Sequence, residues 1–349
     1  MPETPLLPKI PVVDCRGSRY PSAAACTALP GQIAELMASA RRHYTDVGLR
    51  LGDRISRRWL ARNSSPYIDE IDAIAHFVRR PGAHVLNASF EWACTTGVAP
   101  AEHGGMAMVR VLDWDLDGLG RTLSVIRQNG PSGDWLNLGW PGFAGCITGI
   151  AAGRFAAAIN QAPLPECRIG AAFRAHGMAI PGLAADWLSD RPATWGTDAP
   201  PPAHLLRQVM DEACDYDEAL RMLASRRIAA PALFVLAGPG PGQGAVVERT
   251  RDRAAVRRAD PAVAAANHWT SMPVRGEPRW RDDSHLREQT MLRQIPAIIR
   301  DGCPQRLDPP VRTKMTRLIA VMNPGTGSLG LQGFERNGPA TAPLMLSGA

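Results

Sequence analysis

The sequence predicts an α+β fold in which antiparallel strands are combined with helices, and three observations support this. Between residues 31 and 78, apolar residues recur at helical spacing. After Cys94, the pattern changes to short apolar runs bounded by Gly, Pro or Asn-Gly, which is typical of antiparallel strands. Two longer amphipathic stretches, 203–225 and 284–300, predict further helices.

The first third of the chain is predicted to be mainly helical. Residues 1–30 are rich in proline and small residues, and we expect them to form an extended arm on the surface. A helical pattern begins at Gly31 and breaks near Gly48. A further helix starts at Pro66 and ends before Pro81.

The middle of the chain predicts strands and then a long loop. The strands are 94–98, 106–112, 122–128, 135–139 and 154–160. Residues 185–203 contain Trp187, Trp195 and several prolines, so we expect either a lid or a plain surface connection. The helix over 203–225 is expected to restart near Asp215.

The last third predicts two hairpins. Strands 232–236 and 245–248 flank a run of glycine and proline, 238–244. Because a strand and not a helix follows this run, it is interpreted as a hairpin turn and not as a phosphate-binding loop. A second hairpin, 317–322 with 328–333, is expected to be followed by an unstructured tail.

Composition excludes several classes of protein. The 349 residues are 45% hydrophobic and 21% charged, which is ordinary for a globular protein. The net charge is +6, but the arginines are scattered, so no nucleic-acid partner is expected. The seven cysteines form no CxxC pair, so neither a disulfide framework nor a metal site is expected, and no cofactor. We find no secretory signal and no membrane-spanning run, so a cytoplasmic protein with at most peripheral membrane contact is expected.

One cysteine has neighbours that indicate chemistry. Cys94 is followed by Arg110, 16 residues later, and by Asp113, 19 residues later. A thiol with an ordinary pKa of about 8.5 needs a base or a nearby positive charge to become a good nucleophile. An α-amino group has a pKa of about 7.7–8.0, so a cut between Ala93 and Cys94 would give this thiol its own base. The interpretation is a latent N-terminal nucleophile, exposed when the thiol attacks the Ala93 carbonyl and water resolves the thioester.

Two alternatives stay open at this point. Most free cysteines pack in a core, and Cys94 is one of seven. His268 is an alternative base, which would form a cysteine–histidine dyad with Cys94. The main interpretation needs both Arg110 and Asp113 near the thiol, but strict alternation would place them on opposite faces of a strand. We therefore expect a bend near Leu112 that leaves Asp113 beside Cys94.

Several segments occur in an order that is seen in one enzyme family. They are 87–95, 110–114, 140–142 with 148–149, 159–161, 231–238, 267–269 and 282–284 with Arg287. Over roughly residues 30 to 335, the sequence resembles the N-terminal-nucleophile amidases that include acid ceramidase and N-acylethanolamine acid amidase. It resembles choloylglycine hydrolases and penicillin acyltransferases more distantly. This resemblance implies a four-layer αββα sandwich of two antiparallel sheets between helices.

The resemblance also implies roles for individual residues. Cys94 matches the nucleophile, with the cut after Ala93, and Arg110 and Asp113 match its activating pair. Asn267 matches an amide that stabilises the oxyanion, and Arg287 matches a second arginine that closes the site. Asn160 is a looser match to an asparagine near the oxyanion.

Two departures from the family concern the substrate. The lysosomal members have an acidic residue where this chain has Gln161, which we place at the substrate and oxyanion side of the site. They have asparagine directly after the arginine, where this chain has Val111.

The expected product of processing is a pair of subunits. Residues 1–93 would form a small helical subunit and residues 94–349 a catalytic large subunit, held together as one structural domain and a heterodimer. The resemblance implies hydrolysis of an N-acyl amide with an apolar acyl group, of the N-acylethanolamine or ceramide type, and the helical lobe is expected to shape the acyl pocket. The alternatives are acyl transfer to another amine, as in penicillin acyltransferases, and an unprocessed, non-catalytic binding protein with the same fold.

Overall fold

Two β-sheets, antiparallel except for one strand at the edge of the first, face each other in the computed structural model. The structure describes residues 7–63, 65–89, 92–102, 104–276, 278, 283–302 and 306–348. The strands in these ranges are β1 Val12–Asp14, β2 Ala93–Pro100, β3 Met106–Asp113, β4 Ser124–Gly130, β5 Gly133–Gly139, β6 Thr148–Ala151, β7 Phe155–Gln161, β8 Ala232–Ala237, β9 Gly244–Arg249, β10 Ala254–Arg258, β11 Val263–Ala265, β12 Thr316–Asn323, β13 Ser328–Glu335, β14 Gly338–Pro339 and β15 Leu344–Leu346. The first sheet has the order β1-β4-β5-β6-β7-β8-β9-β10, and the second has the order β11-β2-β3-β12-β13-β14, with β15 paired to β13.

The helices flank these sheets. They are α1 Pro21–Ala28, α2 Pro30–Tyr44, α3 Asp46–Arg62, α4 Ile68–Val78, α5 Ala83–Ala88, α6 Arg168–Ala175, α7 Ala179–Gly196, α8 Pro202–Glu212, α9 Tyr216–Ser225 and α10 Ser284–Asp301. Helices α8 and α9 pack on the first sheet, and α10 packs on β2, β3 and β11 of the second. Because β2 and β3 also contact β7 and β8, the order of layers is helix, sheet, sheet, helix.

Alternate residues of β3 point to opposite faces of the second sheet, and both faces are buried. Met108 and Leu112 belong to the large core between the sheets. Val109 and Val111 point the other way and pack in the cluster that contains Met291 of α10. A strand covered on both sides has few polar positions. β3 nevertheless carries a fully buried arginine.

The N-terminal region differs from the prediction. Within residues 7–30, where an extended arm was expected, β1 adds to the first sheet in parallel with β4, and α1 follows it. The break in the helical pattern is at Thr45 and not at Gly48. Thr45 has a φ of 62°, and its hydroxyl accepts a hydrogen bond from the Gly48 amide at 3.3 Å, so Thr45 caps α3 and Gly48 lies in its first turn.

The predicted loop over 185–203 is also wrong in part, because most of it is the second half of α7. The prolines misled the prediction, since α7 tolerates Pro192 in its interior. Tertiary bonds hold the hairpin of α6 and α7 together. The Asp186 carboxylate accepts from the Cys167 amide at 2.8 Å and from the Arg174 guanidinium at 2.6 Å.

Other predictions for the second half are confirmed, and one is wrong. The helix over 203–225 does restart at Asp215, whose side chain caps α9 by accepting from the Glu218 amide at 2.8 Å. The run 238–244 is a hairpin turn, because β8 pairs antiparallel with β9. The tail is not unstructured, since Leu344 of β15 pairs with Leu331 of β13.

A buried ionic network joins the region before Cys94 to the region after it. Arg207 of α8 binds Glu70 of α4, with 2.6 Å between guanidinium Nη1 and carboxylate Oε2. Its Nε lies 3.8 Å from Oδ2 of Asp211, whose other oxygen accepts from Trp135 Nε1 at 2.8 Å. Burial raises the pKa of Asp211 from 3.8 to about 6, although the charge of Arg207 and the bond from Trp135 oppose this. Asp211 therefore weakens the folded state when it is charged.

Replacing Asp211 with asparagine is expected to stabilise the protein at about pH 7.5 and to have little effect at about pH 3.5. Between pH 3.8 and about 6, the folded state binds the proton that the unfolded state releases, so the free energy of unfolding falls as the pH rises through this window. The upper limit of the gain is about 3 kcal/mol, and the amide oxygen of the new side chain still accepts the bond from Trp135. Urea unfolding at both pH values measures the difference, with the exposed Asp217→Asn as the control. An equal effect at both pH values would contradict the prediction.

Candidate active site

Cys94 is the second residue of β2 and is fully buried between the two sheets. Its Sγ lies 3.7 Å from the carbonyl oxygen of Ile159 on β7. Burial raises the pKa of the thiol to about 11, the charges of Arg110 and Arg287 act to lower it, and the charge of Asp113 raises it further. With the peptide bond to Ala93 intact, Cys94 is thus a neutral thiol at neutral pH. The charged groups around it shift its pKa in opposite directions.

Arg110 is the buried arginine of β3. It lies opposite Thr96 in the β2–β3 ladder, on the same inner face as Cys94. Its Nη1 donates to Thr96 Oγ1 at 2.9 Å and to Asn160 Oδ1, and its Nη2 donates to the Ile159 carbonyl at 2.9 Å. The carbonyl next to the thiol and the amide of Asn160 therefore hold the guanidinium where it favours a thiolate.

Asp113 is the last residue of β3 and pairs with Ala93, directly before the nucleophile candidate. The bend that we expected in β3 near Leu112 does not interrupt its pairing with β2, which stays in register through Leu112 and Asp113. The irregularity at this point is in the pairing with β12, whose register shifts between Thr316 and Leu318. The Thr316 hydroxyl donates to Asp113 Oδ1 at 2.7 Å. No signal in the sequence pointed to Thr316, which lies far from Asp113 along the chain.

Asn267 and Arg287 hold the backbone of Cys94. The Cys94 amide donates to Asn267 Oδ1 at 3.0 Å. Arg287, buried in the first turn of α10, donates from Nη1 to the Cys94 carbonyl at 2.7 Å and from Nη2 to Asn267 Oδ1 at 3.0 Å. Asp283 accepts from Arg287 Nε at 2.9 Å. The nitrogen that a cut would release is therefore already bound to an acceptor.

The two asparagines differ in the hydrogens that they have available. Asn267 Nδ2 donates one hydrogen to the Gln161 carbonyl at 2.7 Å, and we find no second acceptor for it among the described residues. Asn160 Nδ2 donates to the carbonyls of Ala265 and Ala266 at 2.9 and 3.1 Å. Asn267 thus has a hydrogen for an oxyanion, whereas Asn160 fixes the segment that leads to Asn267. Gln161 contributes its backbone carbonyl.

The geometry does not favour the alternative dyad with His268. Its Nδ1 lies 2.8 Å from Ser284 Oγ, and its Nε2 lies 2.7 Å from Glu288 Oε2. Burial alone would raise the pKa of Glu288, but the bond from His268 and the charge of Arg257 lower it below its usual value. Ser284, which lies in one of the family segments but was given no role, also accepts from the Asn267 amide at 2.7 Å. His268 therefore supports the Asn267 segment.

In the sequence, Asp282 and Asp283 directly precede α10, a position at which an acidic side chain can cap a helix. Asp282 lies outside the described residues. Asp283 does precede the helix, but it makes no side-chain hydrogen bond to the first helical amides and binds Arg287 instead. Within the described part of the chain, we find no group of three or more His, Cys, Asp or Glu side chains that could hold a metal ion. In the same ranges, no helix is both long and apolar enough to cross a membrane.

The described residues before Cys94 include a buried tryptophan and, further upstream, three residues that line a cavity. Trp92 is buried, and its ring centroid lies 5.3 Å from that of Trp114. Further upstream, residues 87–89 line a cavity of about 410 Å³ between α3, α5 and α7. Trp59, Trp187 and Trp195 also line it. The helical lobe and α7, which forms most of the segment expected to be a lid or a surface connection, thus line one cavity.

Comparison with known proteins confirms the resemblance that the motifs indicated. No protein-family model matches the sequence. Acid ceramidase of Heterocephalus glaber is 24% identical over 260 residues, which cover 67% of this chain and 60% of that protein. N-acylethanolamine-hydrolyzing acid amidase of Cavia porcellus is 25% identical over 225 residues, 60% of this chain and 57% of that protein. The chain thus spans about 60% of the length of these curated relatives.

A solved structure agrees with the layer order. The Caenorhabditis elegans N-acylethanolamine-hydrolyzing acid amidase ortholog superposes with a TM-score of 0.51 at 17% identity, covering 72% of this chain and 100% of that chain. At this identity the likeness concerns the fold. Together with the two stacked sheets and their flanking helices, it confirms the predicted α+β sandwich.

Proposed function

We propose that this protein is a self-processing cysteine hydrolase of the N-terminal-nucleophile type, which cleaves the amide bond of N-acyl amides with an apolar acyl chain. The observation that carries the proposal is the environment of Cys94. Its amide is bound by Asn267 and its carbonyl by Arg287, and Arg110 lies on the same inner face as its thiol. The backbone amide and carbonyl of any buried residue need partners, but a cysteine that only filled the core would not need a buried guanidinium on the face of its thiol.

Self-processing is proposed to proceed through a thioester. The Cys94 sulfur attacks the Ala93 carbonyl carbon, and the thiol proton passes to the peptide nitrogen as the carbon–nitrogen bond breaks. Asp113 is placed opposite Ala93 and serves as the group that relays this proton. Water then hydrolyses the thioester, which leaves a carboxylate on Ala93 and both a free thiol and a free amine on Cys94.

Turnover uses the same groups on a substrate. The α-amine takes the thiol proton, the sulfur attacks the substrate carbonyl, and the amine returns the proton to the leaving nitrogen. The second hydrogen of Asn267 Nδ2 stabilises the oxyanion, and Arg110 stabilises the thiolate. Water releases the acyl group as a carboxylic acid and restores the thiol.

The cavity and the relatives support the class of substrate. Pockets for amphiphilic ligands are mostly apolar with few polar groups, as this cavity of about 410 Å³ is. The relatives' names specify ceramide and N-acylethanolamine, both N-acyl amides. We therefore propose that the acyl chain enters the cavity after the cut, when the end of the small subunit is free to move.

Denaturing mass spectrometry of the wild-type protein, after incubation at several pH values, tests the proposal. We expect the intact mass to be replaced by the masses of residues 1–93 and 94–349, which should co-elute from a native sizing column because Glu70 and Arg207 join them. The cut protein should then release free acid from N-dodecanoylethanolamine. Adding glycinamide as an acyl acceptor distinguishes the acyltransferase alternative, because a hydrolase would still release mainly free acid, whereas an acyltransferase would form the new amide. A chain that stays intact and inactive would favour the binding-protein alternative.

A further inference from the structure

The side chain of Asn267 has two tasks in the site, so its placement matters twice. Its Oδ1 accepts from the Cys94 amide at 3.0 Å, and the second hydrogen on its Nδ2 is the proposed donor to the oxyanion. The sheet does not fix this residue, since β11 ends at Ala265. Whatever holds the Asn267 backbone therefore decides where both side-chain groups point.

Helix α10 holds Asn267 at two points. The backbone amide donates to the Ser284 hydroxyl at 2.7 Å, and the side-chain Oδ1 accepts from Arg287 Nη2 at 3.0 Å. Ser284 and Arg287 are three residues apart in the first turn of α10, so they lie on the same face of the helix. Arg287 thus holds the side chain, whereas the Ser284 hydroxyl sets the position of the peptide.

The direction of the Ser284 hydroxyl depends on His268. A hydroxyl rotates about its carbon–oxygen bond, and it donates as well as accepts. Nδ1 of His268 lies 2.8 Å from Ser284 Oγ, and both side chains are buried. When Nδ1 accepts the hydroxyl hydrogen, the lone pairs of the oxygen face the Asn267 amide. Without this acceptor the hydroxyl is able to turn, and the Asn267 amide loses a fixed partner.

The other side of the ring determines which nitrogen accepts. Nε2 of His268 lies 2.7 Å from Oε2 of Glu288, whose Oε1 accepts from Arg257 Nη1 at 3.0 Å. Burial acts to raise the pKa of Glu288, but the bond from His268 and the charge of Arg257 lower it below its usual value. A carboxylate only accepts, so Nε2 carries a hydrogen and Nδ1 of the neutral ring is the acceptor. The bonds then run in one direction, from the Asn267 amide to the Glu288 carboxylate.

We propose that His268 is a positioning residue, which orients the Ser284 hydroxyl and through it aims the Asn267 side-chain amide at the oxyanion. This inference rests on the proposed function, because it concerns how that same site stabilises its transition state. Ser284 is not a second nucleophile, since its oxygen is fully buried and is occupied by the Asn267 amide. A misplacement of about 1 Å costs a catalytic group up to about 10²-fold in rate, so the effect on kcat is measurable.

Two substitutions of His268 separate the tasks of its two nitrogens. In His268→Asn, an amide atom takes the place of Nδ1 and still bonds to Ser284. In His268→Gln, the terminal nitrogen takes the place of Nε2 and reaches only Glu288. Both changes remove the ring and its stacking on His285, whose centroid lies 3.7 Å away.

The kinetics of cut protein with N-dodecanoylethanolamine compare these variants. We expect His268→Gln to lower kcat by about 10–10²-fold with little change in KM, and His268→Asn to lower kcat by no more than about threefold. A residue that only filled space would give two equal losses. Equal losses of kcat would therefore overturn the inference.

A matched control comes from a second buried serine–histidine pair. Ser65 Oγ lies 2.9 Å from Nδ1 of His204, which belongs to α8. We expect His204→Gln to lower the urea midpoint and to change kcat by less than about twofold, since this pair does not hold Asn267. A loss of kcat in His204→Gln equal to that in His268→Gln would contradict the proposal.

A double-mutant cycle tests whether His268 acts through Ser284. Ser284→Ala should lower kcat as much as His268→Gln does. The two changes together should cost no more than either alone, because both break the same bond. Additive losses would mean that His268 acts by another route and would contradict the proposal.

Amide hydrogen exchange separates this inference from the proposed function, because it needs no catalysis. In the uncut Cys94→Ala protein, NMR should show the Asn267 amide exchanging at least about tenfold faster after His268→Gln than after His268→Asn. Equal exchange rates in the two variants would overturn the inference. A protein that cleaves no amide but shows this difference would refute the amidase and keep the role of His268 in holding Asn267. An active amidase in which His268→Gln leaves kcat unchanged would keep the proposed function and refute the inference.

Discussion

Cys94→Ala is expected to leave the chain uncut and to reduce amide hydrolysis to background, a loss of at least about 10⁴-fold. The reason is that both reactions start with the same sulfur atom. Alanine fits the inner face of β2, where Cys94 is surrounded by the apolar core, so the variant should fold. Denaturing mass spectrometry and release of free acid from N-dodecanoylethanolamine measure the two losses separately.

Cys146→Ala provides a matched control for this experiment. Cys146 is also fully buried in the core between the sheets, and burial raises the pKa of its thiol above the usual range. Its replacement removes the same atoms from the same core, so the two variants should lose similar stability. We expect Cys146→Ala to be cut and active. A Cys94→Ala chain cut after Ala93 would mean that another agent makes the cut.

The strands around Cys94 were predictable because their signals are local. β2 and β3 are apolar runs joined by a short connection, so their pairing places Thr96 opposite Arg110 without distant information. The α6–α7 hairpin was missed because its stability comes from Asp186 and its partners, and not from periodicity. Tertiary bonds of this kind override the signal of prolines.

The site shows a similar division between local and distant information. The spacing of Cys94, Arg110 and Asp113 follows from one hairpin. Asn267 and Arg287 lie 173 and 193 residues after Cys94, so only the family resemblance pointed to them. Thr316 was missed, and the Ser284 hydroxyl was given no role, because serine and threonine occur in most contexts and have no diagnostic spacing.

Asn267→Asp is expected to lower kcat by about 10²–10³-fold and to leave KM nearly unchanged. The new carboxylate keeps an oxygen for the Cys94 amide and for Arg287, so the backbone of the nucleophile stays bound. It lacks the N–H groups, and the oxyanion therefore loses its donor. The added negative charge also disfavours the thiolate, which acts in the same direction. Steady-state kinetics of protein that has been cut measure the effect.

Asn137→Asp controls for the cost of a buried carboxylate. Asn137 is buried in β5, and its Nδ2 donates to the Gly145 carbonyl at 3.0 Å, much as Asn267 donates to Gln161. Both variants replace a buried donor by an acceptor that faces a carbonyl, so both should lower the urea midpoint. Only Asn267→Asp should lower kcat. If the two variants lose kcat equally, Asn267 acts through stability, and the oxyanion donor must be sought elsewhere in the site.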